Sequence, residues 1–185
     1  MGEIIFQNMI TANGYFEGPN REIDWHNVDD EFNEYAGDFL DSLDTLLFGR
    51  ITYELMANYW PGEIATTDDP VIAGKMNNLQ KVVVSRTLKK VEWQNSRLID
   101  NNVVEEIRKM KSESAKDIAV FGSSDLSLTL IDHGLIDEFR IFINPVILGN
   151  GRPLLGGLKP RVKLKLIKTR TFNSGNVLLY YRTAD

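Results

Sequence analysis

Apolar residues recur along this chain with two periods, and each change of period marks an element. Residues 3–10 (E-I-I-F-Q-N-M-I) are a mostly apolar run and predict a first strand. The stretch T-A-N-G-Y-F-E-G-P-N-R-E-I-D-W that follows is rich in Gly, Pro and Asn and predicts a long loop. Phe32, Tyr35, Ala36, Phe39, Leu40 and Leu43 then fall at i, i+3, i+4, i+7, i+8 and i+11, one stripe of a helix. Asn27 is placed to cap it, and Asp29 and Asp30 put negative charge in its first turn, where the helix dipole favours it. Glu31, Glu34, Asp38 and Asp41 give the helix a solvated outer face.

Further on, residues 45–48 predict a short buried strand, followed by Gly49 and a helix from about Thr52. Residues 60–70 read as a loop and 71–79 as a helix. The β-branched run at 81–84 predicts a strand. Residues 103–111 predict a helix whose buried face is Val103, Val104, Ile107 and Met110, with Asn102 and Glu105 spaced as a capping box. Residues 118–121 predict a strand, and Gly122-Ser123-Ser124 turns it into a helix over 125–133 that stops at Gly134. A strand at 139–143 ends at Asn144-Pro145. Val162, Leu164 and Leu166 alternate with lysines as in a half-exposed strand. Asn173-Ser174-Gly175 is a turn, and 177–181 is the last strand. The expected fold class is α/β: a mostly parallel βαβαβαβ body ending in an antiparallel hairpin, as one domain over 1–185.

Composition narrows the partners. A length of 185 residues suits one substantial core rather than two. Lys plus Arg is 21 against 26 Asp plus Glu, a formal charge of −5, which argues against a nucleic-acid surface. There is no cysteine, which removes disulfides, thiol nucleophiles and thiolate metal sites. The N-terminus lacks a basic segment before its apolar run, and no apolar run approaches the ~20 residues of a membrane span. The expectation is a cytoplasmic protein without metal, membrane or nucleic-acid partners.

Three junctions share one design: L-L-F-G-R-I-T-Y at 46–53, V-V-V-S-R-T at 82–87 and A-V-F-G-S-S-D-L at 119–126. Each is a short apolar strand followed by small or basic polar residues. In an open α/β sheet, ligands bind beyond the carboxyl ends of the strands, where helix N-termini offer N–H groups and positive potential to phosphate. Gly49 and Gly122 allow close backbone approach, Thr52, Ser123 and Ser124 add hydroxyls, and Arg50 and Arg86 can each pair with a phosphate oxygen. Singly, these are a turn glycine, a surface charge and a helix cap; their joint occurrence at three strand ends carries the reading. Two arginines on separate strand ends suit NADPH, which has a pyrophosphate and a 2′-phosphate. The fingerprint G-x-G-x-x-G is absent, so this is not an ordinary Rossmann site.

These blocks resemble the cofactor-binding blocks of the dihydrofolate reductase superfamily. The stretch H-G-L-I-D-E-F-R-I-F-I-N-P-V-I-L-G-N-G-R-P-L-L at 133–155 is more similar to the reductase domain of riboflavin biosynthesis. The resemblance spans about 4–182 and implies a dihydrofolate-reductase-like fold, NADPH as cofactor and a homodimer. By position it implies Gly49, Arg50 and Thr52 at the cofactor phosphates and Ser85 and Arg86 at the 2′-phosphate. Gly122, Ser123, Ser124, Asp125 and Leu126 would close over pyrophosphate and nicotinamide, with Met9, Ala12 and Phe16 bordering the nicotinamide. Asp29 and Asp30 lie near the place of the acidic residue that fixes pterin in the folate enzymes. The zinc deaminase half of the bacterial riboflavin protein has no counterpart here.

Hydride transfer needs no protein nucleophile, only positioning and a proton. Candidate proton donors or substrate anchors are Asp24, Asp29, Asp30, Asn13 and His26, with Trp25 to flank a flat heterocycle and Arg152 to meet a substrate phosphate. His133 beside Gly134 reads as a helix-terminal side chain, and Trp25 reads equally as packing under the helix start. The expected function is NADPH-dependent reduction of a small heterocycle or imine, similar to the pyrimidine reductase of riboflavin biosynthesis. A pterin or dihydrofolate reductase and a non-catalytic nucleotide-binding protein are the alternatives.

Overall fold

The computed structural model describes residues 1–122, 124–159 and 161–184. Its centre is an eight-stranded sheet built from β1 (Ile4–Thr11), β3 (Leu43–Gly49), β4 (Gln80–Val84), β5 (Ser96–Ile99), β6 (Asp117–Phe121), β7 (Glu138–Asn144), β9 (Leu164–Thr171) and β10 (Val177–Thr183), with β2 (Tyr15–Glu17) and β8 (Arg152–Pro153) apart. The order is β5-β4-β3-β6-β1-β7-β10-β9. All neighbours from β5 to β7 pair in parallel, and β10 runs antiparallel to both β7 and β9. The helices are α1 (Asp30–Asp41), α2 (Arg50–Tyr59), α3 (Glu63–Asp68), α4 (Pro70–Asn78), α5 (Val103–Glu113) and α6 (Ser124–Asp132).

The central strands read as unbroken apolar runs because both faces of the sheet are covered. On one face Ile5, Phe48, Val83, Phe142 and Leu178 pack with Tyr35, Phe39 and Leu40 of α1. On the other, Phe6, Leu47, Val120 and Phe139 pack with Ile107 of α5 and Leu130 of α6. The expected helical stripe forms from Phe32 to Leu40, with Tyr35, Phe39 and Leu40 buried; Leu43, expected as its last position, is instead the first residue of β3, because α1 ends at Asp41. Gly134 ends α6 at φ +62, and Leu135 N–H donates back to Leu130 O at 2.9 Å, as a left-handed helix stop requires.

Local expectations differ from the structure in four places. The cap of α1 is Asp29, whose carboxylate accepts from Phe32 N–H at 2.8 Å; Asn27 lies two residues too early and joins other loops. Asn102 precedes α5 in the left-handed region at φ 46, where its side chain cannot make the capping bond of an extended residue, so no capping box forms. Residues 60–70 are not all loop: α3 occupies Glu63–Asp68, and Asp69 caps α4 with Pro70 at its first position. The edge strand β5 has one buried residue, Ile99, and the short β2–β8 pair joins distant loops; neither carries a periodic signal.

Candidate cofactor and substrate site

The parallel strands all end at one edge, which brings the three junctions side by side. Gly49 pairs beside Val84, so Gly49-Arg50 and Ser85-Arg86 leave neighbouring strands. β6 lies against β3 on its other side, with Leu47 beside Val120, which carries Gly122 to the same edge. Gly122 has φ +60, and a Cβ placed on it would lie 2.7 Å from Thr52 Oγ1. Only glycine meets both demands, and through it the end of β6 closes onto the first turn of α2.

The start of α2 departs from ordinary helix chemistry. Its cap, Gly49, is extended (φ −80, ψ 166) and gives no side-chain capping bond, and its first turn has no acidic residue. A cation, Arg50, occupies the first position, against the helix dipole, and is held by Glu54 one turn on at 3.0 Å. α1 and α5, by contrast, carry acidic first turns. A helix start with positive side chain and positive dipole end together has the potential that suits an anion.

The expected cofactor residues divide by role. Ser85 is buried and its Oγ accepts from Thr87 N–H at 3.1 Å and Leu88 N–H at 3.0 Å, so its hydroxyl builds the turn after β4 rather than waiting for a phosphate. Arg86 is exposed and forms no ion pair with another described residue. Leu126, within α6, is a core residue, so its side chain packs rather than lining the edge. Asp125 is exposed in the first turn of α6. Ser123 and the side chain of Ser124 lie outside the described residues. Met9 is half-buried, Ala12 exposed and Phe16 half-buried, along the end of β1 and the loop beyond it.

Across β1, the expected substrate anchors are partly committed elsewhere. The Asn13 amide donates to Leu148 O at 2.8 Å and accepts from Leu148 N–H at 3.2 Å, tying two loops. Arg152 pairs with Glu17 at 2.7 Å, so its charge already has a counter-ion. Asp29 is the α1 cap, and Asp24 and Asp30 are exposed, so none of these three carboxylates is buried. Trp25 and His26 stack edge to face with ring centroids 4.6 Å apart. Burial pushes the His26 imidazole down to about 4, so it is neutral at physiological pH.

A set of asparagines here was not among the expected site residues. Asn144 Oδ1 accepts from Asn27 N–H at 2.9 Å, Asn27 Nδ2 donates to Ser174 O at 2.9 Å, and Asn176 Nδ2 donates to Asn27 O at 2.7 Å. The signal was the run N-S-G-N at 173–176, longer than a bare turn needs. Among the described residues no group of His, Cys, Asp or Glu could hold a metal ion, and no helix is long and apolar enough to cross a membrane.

Comparison with known proteins adds the following. The model of the RibD C-terminal domain family matches residues 3–178. The chain is 38% identical over 178 residues to the uncharacterized protein YyaP of Bacillus subtilis (strain 168), covering 96% of this chain and 93% of that one. Among solved structures, the diaminohydroxyphosphoribosylaminopyrimidine deaminase/5-amino-6-(5-phosphoribosylamino)uracil reductase of Thermotoga maritima superposes with a TM-score of 0.72 at 16% identity, over 99% of this chain and 57% of that one. Dihydrofolate reductase from Enterococcus faecalis, complexed with NADP(H), superposes with a TM-score of 0.67 at 16% identity, over 100% and 98% of the two chains.

Proposed function

The chain belongs to the RibD C-terminal domain family, whose fold is that of reductases, and from that premise we propose that it is an NADPH-dependent reductase of a small heterocyclic or imine substrate. The observation that carries the reading is the closure of Gly122 onto Thr52 at the Arg50-bearing start of α2. The residues fit the cofactor: a side chain at Gly122 would fill the cradle, and the positive helix start suits a pyrophosphate. In this reading Gly49, Arg50, Thr52 and Gly122 hold the pyrophosphate, and Arg86 holds the 2′-phosphate. Bound there, NADPH supplies a hydride. Arg50 screens phosphate charge without losing the tie to Glu54, because the guanidinium has five donors. Met9 and Phe16 keep water from the reacting face. The three carboxylates expected as proton donors give no buried acid, so solvent at the open end of β1 is the proton source in this proposal.

NADPH should raise the melting temperature clearly more than NADH, since only NADPH carries the 2′-phosphate. Arg86→Ala should abolish that preference while leaving the unliganded melting temperature unchanged. Equal responses of the parent protein to both nucleotides would remove Arg86 from the site, and no response to either would overturn the cofactor assignment. Dihydrofolate oxidising NADPH in a substrate panel would favour the pterin reading.

A further inference from the structure

Strands β4 and β5 pair in parallel, so residues 85–95 carry the chain back along the sheet, and they do so without a helix. A crossover of this kind takes its hydrogen bonds from its neighbours. Two hydroxyls meet four of its N–H groups. Ser85 Oγ accepts from Thr87 and Leu88, and the Tyr53 hydroxyl accepts from Glu92 N–H and Trp93 N–H, each at 3.0 Å. Tyr53 belongs to α2, one turn after Arg50, and is buried.

Around that tie, α2 and the crossover face each other across a cleft of about 740 Å³, with Tyr53, Glu54 and Ala57 on one wall and Leu88, Lys89 and Trp93 on the other. The far end of the crossover has its own anchor: the Trp93 indole N–H donates to Asn77 Oδ1 at 2.7 Å and its ring stacks on Phe48. The three side chains thus divide the work. Ser85 shapes the turn around Arg86, Trp93 fixes the crossover to the core, and Tyr53 sets its distance from α2. Arg50 opens α2 and Arg86 opens the crossover, and they leave neighbouring strands because Gly49 pairs beside Val84. Arg86 is exposed, so gripping an anion orders a long side chain; a backbone fixed beforehand spares the further cost of ordering the crossover.

We propose that Tyr53 is a positioning residue for cofactor choice: by accepting from Glu92 and Trp93 it holds the crossover that carries Arg86 at a fixed spacing from Arg50, so that the two guanidiniums meet two phosphate groups of one molecule. Tyr53 acts through Arg86 and not on the phosphate. The identity of that molecule, NADPH, rests on the reductase reading.

The test is calorimetric titration of the whole chain with NADPH and with NADH, for the parent, Tyr53→Phe, Arg86→Ala and the double variant. Tyr53→Phe removes the acceptor and keeps the ring, whose centroid lies 6.3 Å from that of Trp93. It should bind NADPH about tenfold more weakly and NADH as before, since only NADPH carries the phosphate that Arg86 meets. In the Arg86→Ala background the same change should cost nothing further, as expected of two residues that act through one contact. Glu92→Pro removes one donor from the other side of the cleft and should show the same selective loss, so the test stands even if Tyr53→Phe does not fold. Equal weakening of both nucleotides would make Tyr53 a merely structural residue and overturn the proposal. So would additive losses in the double variant, or a Tyr53→Phe protein that keeps the parent's preference; each of these leaves the reductase reading in place. A parent protein that binds the two nucleotides alike, or binds neither, would remove Arg86 from the site and take the proposal with it.

Discussion

His26 is held neutral by burial, its pKa pushed down to about 4 with desolvation as the cause. In the unfolded chain the same imidazole takes up a proton near its ordinary value of about 6.5. Between those values the unfolded state binds the extra proton, so stability is full above the unfolded value and falls as pH drops toward the folded one. From roughly pH 7.5 to pH 5 this should remove about 2 kcal/mol. Urea unfolding of the parent chain and His26→Phe at both pH values measures it: the parent should lose about 2 kcal/mol more than the variant. Equal losses would mean that His26 is hydrated in the folded state. Asp29 shows a residue whose surroundings decide its role differently: a carboxylate that satisfies Phe32 N–H is a helix cap before it is an acid.

Helix α4 and strand β4 are joined through one buried cation. Lys81 is 1% exposed, and its Nζ donates to Met76 O at 2.9 Å, Asn77 O at 2.8 Å and Leu79 O at 2.8 Å. The carbonyls left over at the end of α4 thereby gain a donor, and the Trp93 ring lies 4.4 Å from the ammonium. Burial lowers the Lys81 pKa to about 8, still high enough for the ammonium to predominate at neutral pH. Lys81→Met keeps most of the stem and removes the donor from Met76 O and Leu79 O, while Asn77 O keeps the Gln94 amide at 3.1 Å; the expected loss is about 3 kcal/mol in chemical denaturation. A loss within about 0.5 kcal/mol would mean that water replaces the ammonium. α2 is the opposite case. Its start carries Arg50 where the dipole prefers an acid, a local cost that the ion pair with Glu54 offsets in part.

At the scale of the molecule, the sheet is covered on both faces through its centre and bare at one edge. β9 is exposed along most of its length, with Leu164, Leu166 and Ile167 each more than 40% exposed. Leu166 pairs beside Tyr181, and Ile141 and Tyr181 are only partly buried on that face. We propose that a second copy covers this face as a homodimer; a stable dimer needs about 800 Å² per partner. Light scattering after size exclusion should give twice the chain mass, and Leu166→Glu should give the monomer with unchanged circular dichroism. A monomeric parent protein would overturn the proposal.

What is periodic and local can be read along the chain. The stripe from Phe32 to Leu40, the apolar runs of β3, β4 and β6 and the stop at Gly134 follow from burial and backbone sterics acting within one element, and they suffice for the α/β class and the three junctions. Tertiary structure alone decided how polar groups are used, because a hydrogen bond depends on what lies opposite in space. Ser85 and Gly122 both looked like cofactor contacts; one hydroxyl closes its own turn, while the other residue's missing Cβ admits Thr52. Asn13 and Arg152 looked available until the β2–β8 pairing brought Leu148 and Glu17 to them. The asparagines at 27, 144 and 176 stand more than thirty residues apart and meet only where the strand order places β1, β7 and β10 side by side.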